Sequence, residues 1–174
     1  MKHWMSILLA LSFVGIGCGG GMSEEDASTA FSTTQQALNT TRSQALSQAG
    51  SQGDVAVDVS CQSGGKVVWS NWDFGSSSAT NWSSQATFDG CVWQNVTMNG
   101  TIDYEYSIES DGSTSTIRSI MKGTVNYSGS IGGSCTYDVR WSFTASGGGG
   151  GFSYSGSYCG YNATGFSGGG FGGF

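Results

Sequence analysis

The chain has 174 residues, enough for one domain with a modest core. Charged residues make up only 10% and Pro is absent, while Gly numbers 30 and aromatics reach 13%, a balance that excludes a disordered chain and leaves Ser, Thr, Asn, Gln and Gly to wet the surface. A net charge of -6 with scattered Lys and Arg excludes a phosphate-binding surface, and with it a nucleic-acid partner.

Met1 to Ser6 carries one Lys, and an apolar run from Ile7 to Ile16 follows. The run is about half the length of a bilayer-spanning helix. A basic start, a short apolar centre and small residues at its end predict an export signal over residues 1–17. Val14-Gly15-Ile16-Gly17-Cys18 resembles the lipobox of bacterial lipoproteins, departing from it at Gly15, where Leu is commonest. The resemblance implies a diacylglyceryl group on the Cys18 thiol, cleavage before Cys18 and acylation of the new amine. Two or more acyl chains anchor a protein stably where one does not. Gly19 after the cysteine, in place of Asp, implies the outer membrane of a Gram-negative bacterium. A secreted product is the alternative. His3 is the only histidine and leaves with the signal, so the mature chain excludes Ser-His-Asp and Cys-His nucleophiles and His-bearing zinc sites.

Residues 18–53 read as a lipidated cysteine followed by a polar tether. Ser23 is a capping residue, and Glu24, Glu25 and Asp26 favour the positive end of a helix dipole. Ala27, Ala30, Phe31, Leu38, Ala45 and Leu46 recur at helical spacing and predict a weak amphipathic helix over Glu24–Ala49. Thr33, Thr34, Asn39, Thr40 and Thr41 are indifferent helix formers. The expectation is a spacer that holds the next domain off the membrane. The alternative is a helix packed on that domain through Phe31, Leu38 and Leu46.

Residues 54–164 change to period two. Val55, Val57, Val59 and Cys61 alternate with polar partners, and Lys66 to Trp69 begins a second strand. Ile102, Tyr104, Tyr106 and Ile108 share a face opposite Asp103 and Glu105. The turn Glu109 to Ser113 leads to a strand bearing Ile117, Met121, Val125 and Tyr127. Cys135, Tyr137, Val139, Trp141 and Phe143 give the cleanest alternation, and a last strand is expected over Phe152 to Tyr161. About seven or eight strands with short turns predict a mainly β fold, an antiparallel sandwich or small barrel-like sheet. Residues 165–174 form a Gly/Phe-rich low-complexity tail.

Cys61, Cys91, Cys135 and Cys159 are even in number in an exported chain, which predicts disulfides. Three connectivities are open, and neighbouring-strand logic favours Cys61–Cys91 with Cys135–Cys159. No Cys-x-x-Cys pair supports a metal site.

Trp69-Ser70-Asn71-Trp72-Asp73 and Asn81-Trp82 repeat an Asn-Trp pair. Asn71, Trp72, Asp73, Asn81 and Trp82 are candidate carbohydrate contacts, provided both indoles are exposed; otherwise the tryptophans are core anchors. Asp103 and Glu105 read as solvated face charges, not the paired carboxylates of a glycosidase. Asp111 near Glu109 reads as a turn residue, without the ligand count of a calcium loop. Six asparagines stand in Asn-x-Ser/Thr: Asn39, Asn81, Asn95, Asn99, Asn126 and Asn162. The expectation is a non-enzymatic envelope lipoprotein, with no cofactor or metal, whose β domain serves a structural, adhesive or protein-binding role. Its composition and cysteine placement resemble small Gly/Ser/Thr-rich outer-membrane lipoproteins. Its partners would be the membrane, through the lipid, and an envelope protein or polysaccharide. A carbohydrate-binding module is the alternative.

Overall fold

The computed structural model describes residues 21–49, 55–73 and 81–166. The 1–17 signal, the Cys18 lipidation position and all but the first two residues of the 165–174 tail lie outside the described residues.

Helix α1 (Glu24–Ala49) comes first. The strands follow as β1 (Val57–Ser60), β2 (Lys66–Asp73), β3 (Asn81–Trp93), β4 (Val96–Ser110), β5 (Thr114–Gly129), β6 (Gly133–Ser146), β7 (Gly149–Tyr158) and β8 (Tyr161–Asn162). Each strand pairs antiparallel with the next, in one sheet of order β1 to β8. The fold is therefore mainly β and antiparallel, as the alternation predicts. The sheet is open, and the layer facing it is α1.

Helix α1 starts where Ser23 Oγ accepts the Asp26 amide at 3.1 Å, with three acids in the first turn. Its buried face is Ala27, Ala30, Phe31, Thr34, Ala37, Leu38, Thr41 and Ala45. The spacer expectation is corrected here: Phe31 and Leu38 are buried, Leu46 packs against the core, and the helix lies on the sheet. The physical reason is in the residues that make it a weak isolated helix. Alanines let the backbone approach the sheet closely. Threonines supply partners to aromatic groups that burial would orphan. Thr34 Oγ1 lies 2.7 Å from the Tyr127 hydroxyl and accepts from the Tyr137 hydroxyl at 3.0 Å. Thr41 Oγ1 accepts the Trp69 indole N–H at 3.0 Å, and the Tyr158 hydroxyl donates to the Ala27 carbonyl. Rings do the rest of the packing, with Phe31 edge-on to Tyr158 at 4.8 Å.

Within β4 and β5 stand Gly100 (φ +141°) and Gly123 (φ +147°). A Cβ on Gly100 would lie 2.2 Å from the Thr124 carbonyl oxygen, and one on Gly123 would lie 2.1 Å from that of Thr101. Only glycine permits this close backbone approach.

Disulfides join Cys61 to Cys91 and Cys135 to Cys159, the pairing that neighbouring strands favour. They mark an oxidising, extracytoplasmic compartment. No described helix is long and apolar enough to cross a membrane.

Candidate functional site

Side chains alternate across a strand, so register decides which residues share a face. One outward row runs Asp73, Ser83, Glu105, Ile120, Arg140, Ser155, each directly paired with the next from β2 to β7. The adjacent outward row runs Asn81, Ser107, Arg118, Ser142, Ser153, from β3 to β7. Together they line a groove of about 560 Å³ on the face of the sheet away from α1. Trp82, Tyr106, Ser119 and Trp141 also line it, but each falls between two outward residues, so alternation turns their side chains to the opposite face. Six strands at the usual spacing make the groove about 24 Å long, across the strand direction.

Its outward side chains are polar or charged, with Ile120 the exception, while their aliphatic carbons and the strands between them leave about half of the lining apolar. Asp73 and Glu105 put carboxylates toward the β2 end. Arg118 and Arg140 put guanidiniums near the middle, and serines fill the β7 end, where the Ser142 and Ser153 hydroxyls lie 2.7 Å apart. Arg118 Nη1 donates to both Glu109 oxygens at 2.8 Å, and Arg140 Nη2 lies 3.3 Å from Asp138 Oδ1. All four of these charged side chains are about half exposed. Exposed pairs of this kind are worth about 0–1 kcal/mol, so a ligand can re-partner either guanidinium at little cost.

The Asn-Trp repeat divides. Asp73 and Asn81 reach the groove, while Asn71 and Trp72 form a bulge. Ser70 pairs with Gln85 and Asp73 with Ser83, so both residues oppose Ser84 alone. Asn71 takes φ +53°, a conformation asparagine tolerates. The bulge turns Trp72 inward, to 4% exposure, against Trp69 at 5.6 Å and Trp82 at 6.1 Å. The carbohydrate reading of this pair required both indoles to be exposed, and Trp72 does not meet that condition: it is a core anchor. Trp82 is half-buried, stacked on Tyr104 at 5.3 Å and Tyr106 at 5.6 Å. The Arg42 guanidinium lies 5.7 Å from its ring centre and donates to the Tyr104 hydroxyl at 3.1 Å.

Asp103 and Glu105 share the outer face as alternation predicts. Asp103 accepts from Gln85 Nε2 at 2.8 Å, and Glu105 enters the groove. Asp111 caps its hairpin. Its Oδ1 accepts the amides of Ser113 and Thr114 at 3.0 and 2.8 Å, bonds that hold the carboxyl below its ordinary range. Five of the six Asn-x-Ser/Thr asparagines, all but Asn39, are exposed. Among the described residues no three His, Cys, Asp or Glu side chains stand together as a metal site.

The groove residues that the sequence alone does not single out are Ser83, Ser107, Arg118, Ile120, Arg140, Ser142, Ser153 and Ser155. Their outward parity is visible strand by strand, but the rows exist only once register aligns six strands. Compared with known proteins, the chain matches no family model, no curated protein and no solved structure.

Proposed function

We propose that this chain is a lipid-anchored envelope protein, held at Cys18, whose sheet is a binding platform and not a catalyst. We infer that its outer groove receives an extended, hydroxyl-rich ligand, with a polysaccharide of the cell envelope the preferred class. The observation that carries the reading is the pair of outward rows. They set carboxylate, guanidinium, amide and hydroxyl groups along one continuous depression. Such a surface offers donors and acceptors to a chain of hydroxyls lying across the strands. Catalysis has less support. The mature chain has no imidazole, and Cys61, Cys91, Cys135 and Cys159 are tied in disulfides.

Calorimetric titration with purified envelope polysaccharides tests the groove. Binding that weakens about tenfold in Arg118→Ala or Arg140→Ala supports it, a loss equivalent to about 1.4 kcal/mol. Absence of binding by the native chain, or binding unchanged in both variants, overturns it. Mass spectrometry of the mature amino-terminal peptide tests the anchor. Triacylated Cys18 supports it. An unmodified terminus with hexosamine on Asn95 or Asn99 would instead make the protein a secreted glycoprotein.

A further inference from the structure

The two edges of the sheet are treated differently. Strand β1 is four residues long, is in contact with α1, and bears Asp58 ion-paired to Lys66 at 2.6 Å. A short, charged, covered strand is how proteins guard an edge. Strand β7 is ten residues long and carries no charge, and the short 3-10 helix Ala163–Phe166 contacts it. Among the described residues, β8 lies beside it only at Ser157 and Tyr158. From Gly149 to Ser153, the outward edge of β7 meets no described strand. That stretch reads Gly-Gly-Gly-Phe-Ser, with no charge and no proline.

Charge extends the contrast. The chain carries -6 overall, yet no Asp, Glu, Lys or Arg follows Arg140. Copies of the protein repel one another across most of their surface and meet no such repulsion along β7. This edge also bears Phe152, 55% exposed and one of two large exposed hydrophobic residues among the described residues.

We propose that the Gly149–Ser153 edge of β7 is a self-association surface, and that its occupant is the same edge of a second copy in antiparallel pairing about a two-fold axis. An antiparallel strand edge presents its donors and acceptors in a pattern that a two-fold copy complements, so one segment serves both sides. Pairing satisfies the outward backbone groups and brings Phe152 of each copy beside the other's edge. It goes beyond the groove reading and stands without it.

Sedimentation of the full chain in detergent over a range of concentrations tests the proposal, beside three lysine variants. Gly151→Lys places a charge on the edge where a Cβ meets nothing within 4 Å and the backbone is ordinary for an L residue. Ser153→Lys does so at a second exposed position, and Ser128→Lys places the same charge on exposed β5. Near-UV circular dichroism confirms that each variant is folded. The expected result is a dimer in the native chain and in Ser128→Lys, with the dissociation constant raised about tenfold in Gly151→Lys and Ser153→Lys. A native chain that is monomeric throughout overturns the proposal, as it would if another segment of the chain occupied the edge. A dimer equally strong in both edge variants also overturns it.

Discussion

The Trp69 indole N–H donates to the Thr41 hydroxyl across 3.0 Å, at a point where both residues are wholly buried. The Thr41 hydroxyl in turn donates a hydrogen bond to the Ala37 carbonyl at 2.7 Å. One threonine thus ties strand β2 to helix α1 and satisfies a group that water cannot reach. Thr41→Val keeps the shape and removes the acceptor, which leaves the indole N–H orphaned. The expected loss is about 2 kcal/mol in urea unfolding, with most of it recovered in Thr41→Ser. An unchanged unfolding midpoint in Thr41→Val would show that the bond contributes nothing net.

The disulfides span 30 and 24 residues along the chain. Chain entropy assigns each about 3.5 kcal/mol. Reduction is therefore expected to remove about 7 kcal/mol, a large part of the stability of a domain this size. Urea unfolding with and without a phosphine reductant reads the difference directly. A midpoint indifferent to the reductant would contradict it.

Alkali is expected to unfold the protein through three tyrosines. Burial pushes Tyr127 up to about 12, and raises Tyr137 and Tyr158 well above the ordinary tyrosine value. Each is neutral in the folded state at a pH where the unfolded chain, near the ordinary value of 10, has already ionised. Their contribution is fully present below pH 10 and is lost as pH rises toward and through the folded values. Absorbance at the phenolate band should show these three of the seven tyrosines titrating only with unfolding. Reversible titration of all seven in a protein that stays folded would be the contrary result.

Gly123→Ala is expected to cost about 3 kcal/mol, because its Cβ would strike the Thr101 carbonyl and its φ suits glycine. Gly151→Ala, in open space with ordinary φ, should fall within about 0.5 kcal/mol of the native chain. Thermal melts of the pair check both values, and equal costs would refute the argument.

Legibility in the sequence follows the size of the inward residues. β6 is plain because Tyr137, Val139, Trp141 and Phe143 are all large and all of one parity. β3 is hidden. Its inward face reads Trp82, Ser84, Ala86 and Phe88, two of them small. At Asp89 and Gly90 a second bulge then flips the parity, so that Cys91 faces in. The sequence predicts a last strand beginning at Phe152, yet Gly149 to Gly151 also belong to β7, because Thr144, Ala145 and Ser146 of β6 offer them a ladder. The helix is visible from its spacing, but not its docking. Buried threonines look like solvated ones until the tyrosines and indole they serve are known. The groove is the least legible feature, since Asp73 and Ser155 are joined only by five successive registers.

Under the proposed lipid anchor at Cys18, the docking of α1 would also set how the protein stands on a bilayer. Met22 is buried, and its carbonyl accepts the Tyr161 hydroxyl at 2.8 Å, so the folded body begins there. Only Gly19, Gly20 and Gly21 separate it from Cys18, a leash of at most about 14 Å. With lipid on Cys18, the body has no boom to swing on. The end of the sheet that carries Cys135 and Cys159, beside Met22, would then rest near the headgroups. Arg140 and Ser142 lie five and seven residues further along β6, about 17 to 24 Å outward. So anchored, the groove would be held at a fixed standoff from the membrane, and a ligand would have to come to that height to meet it.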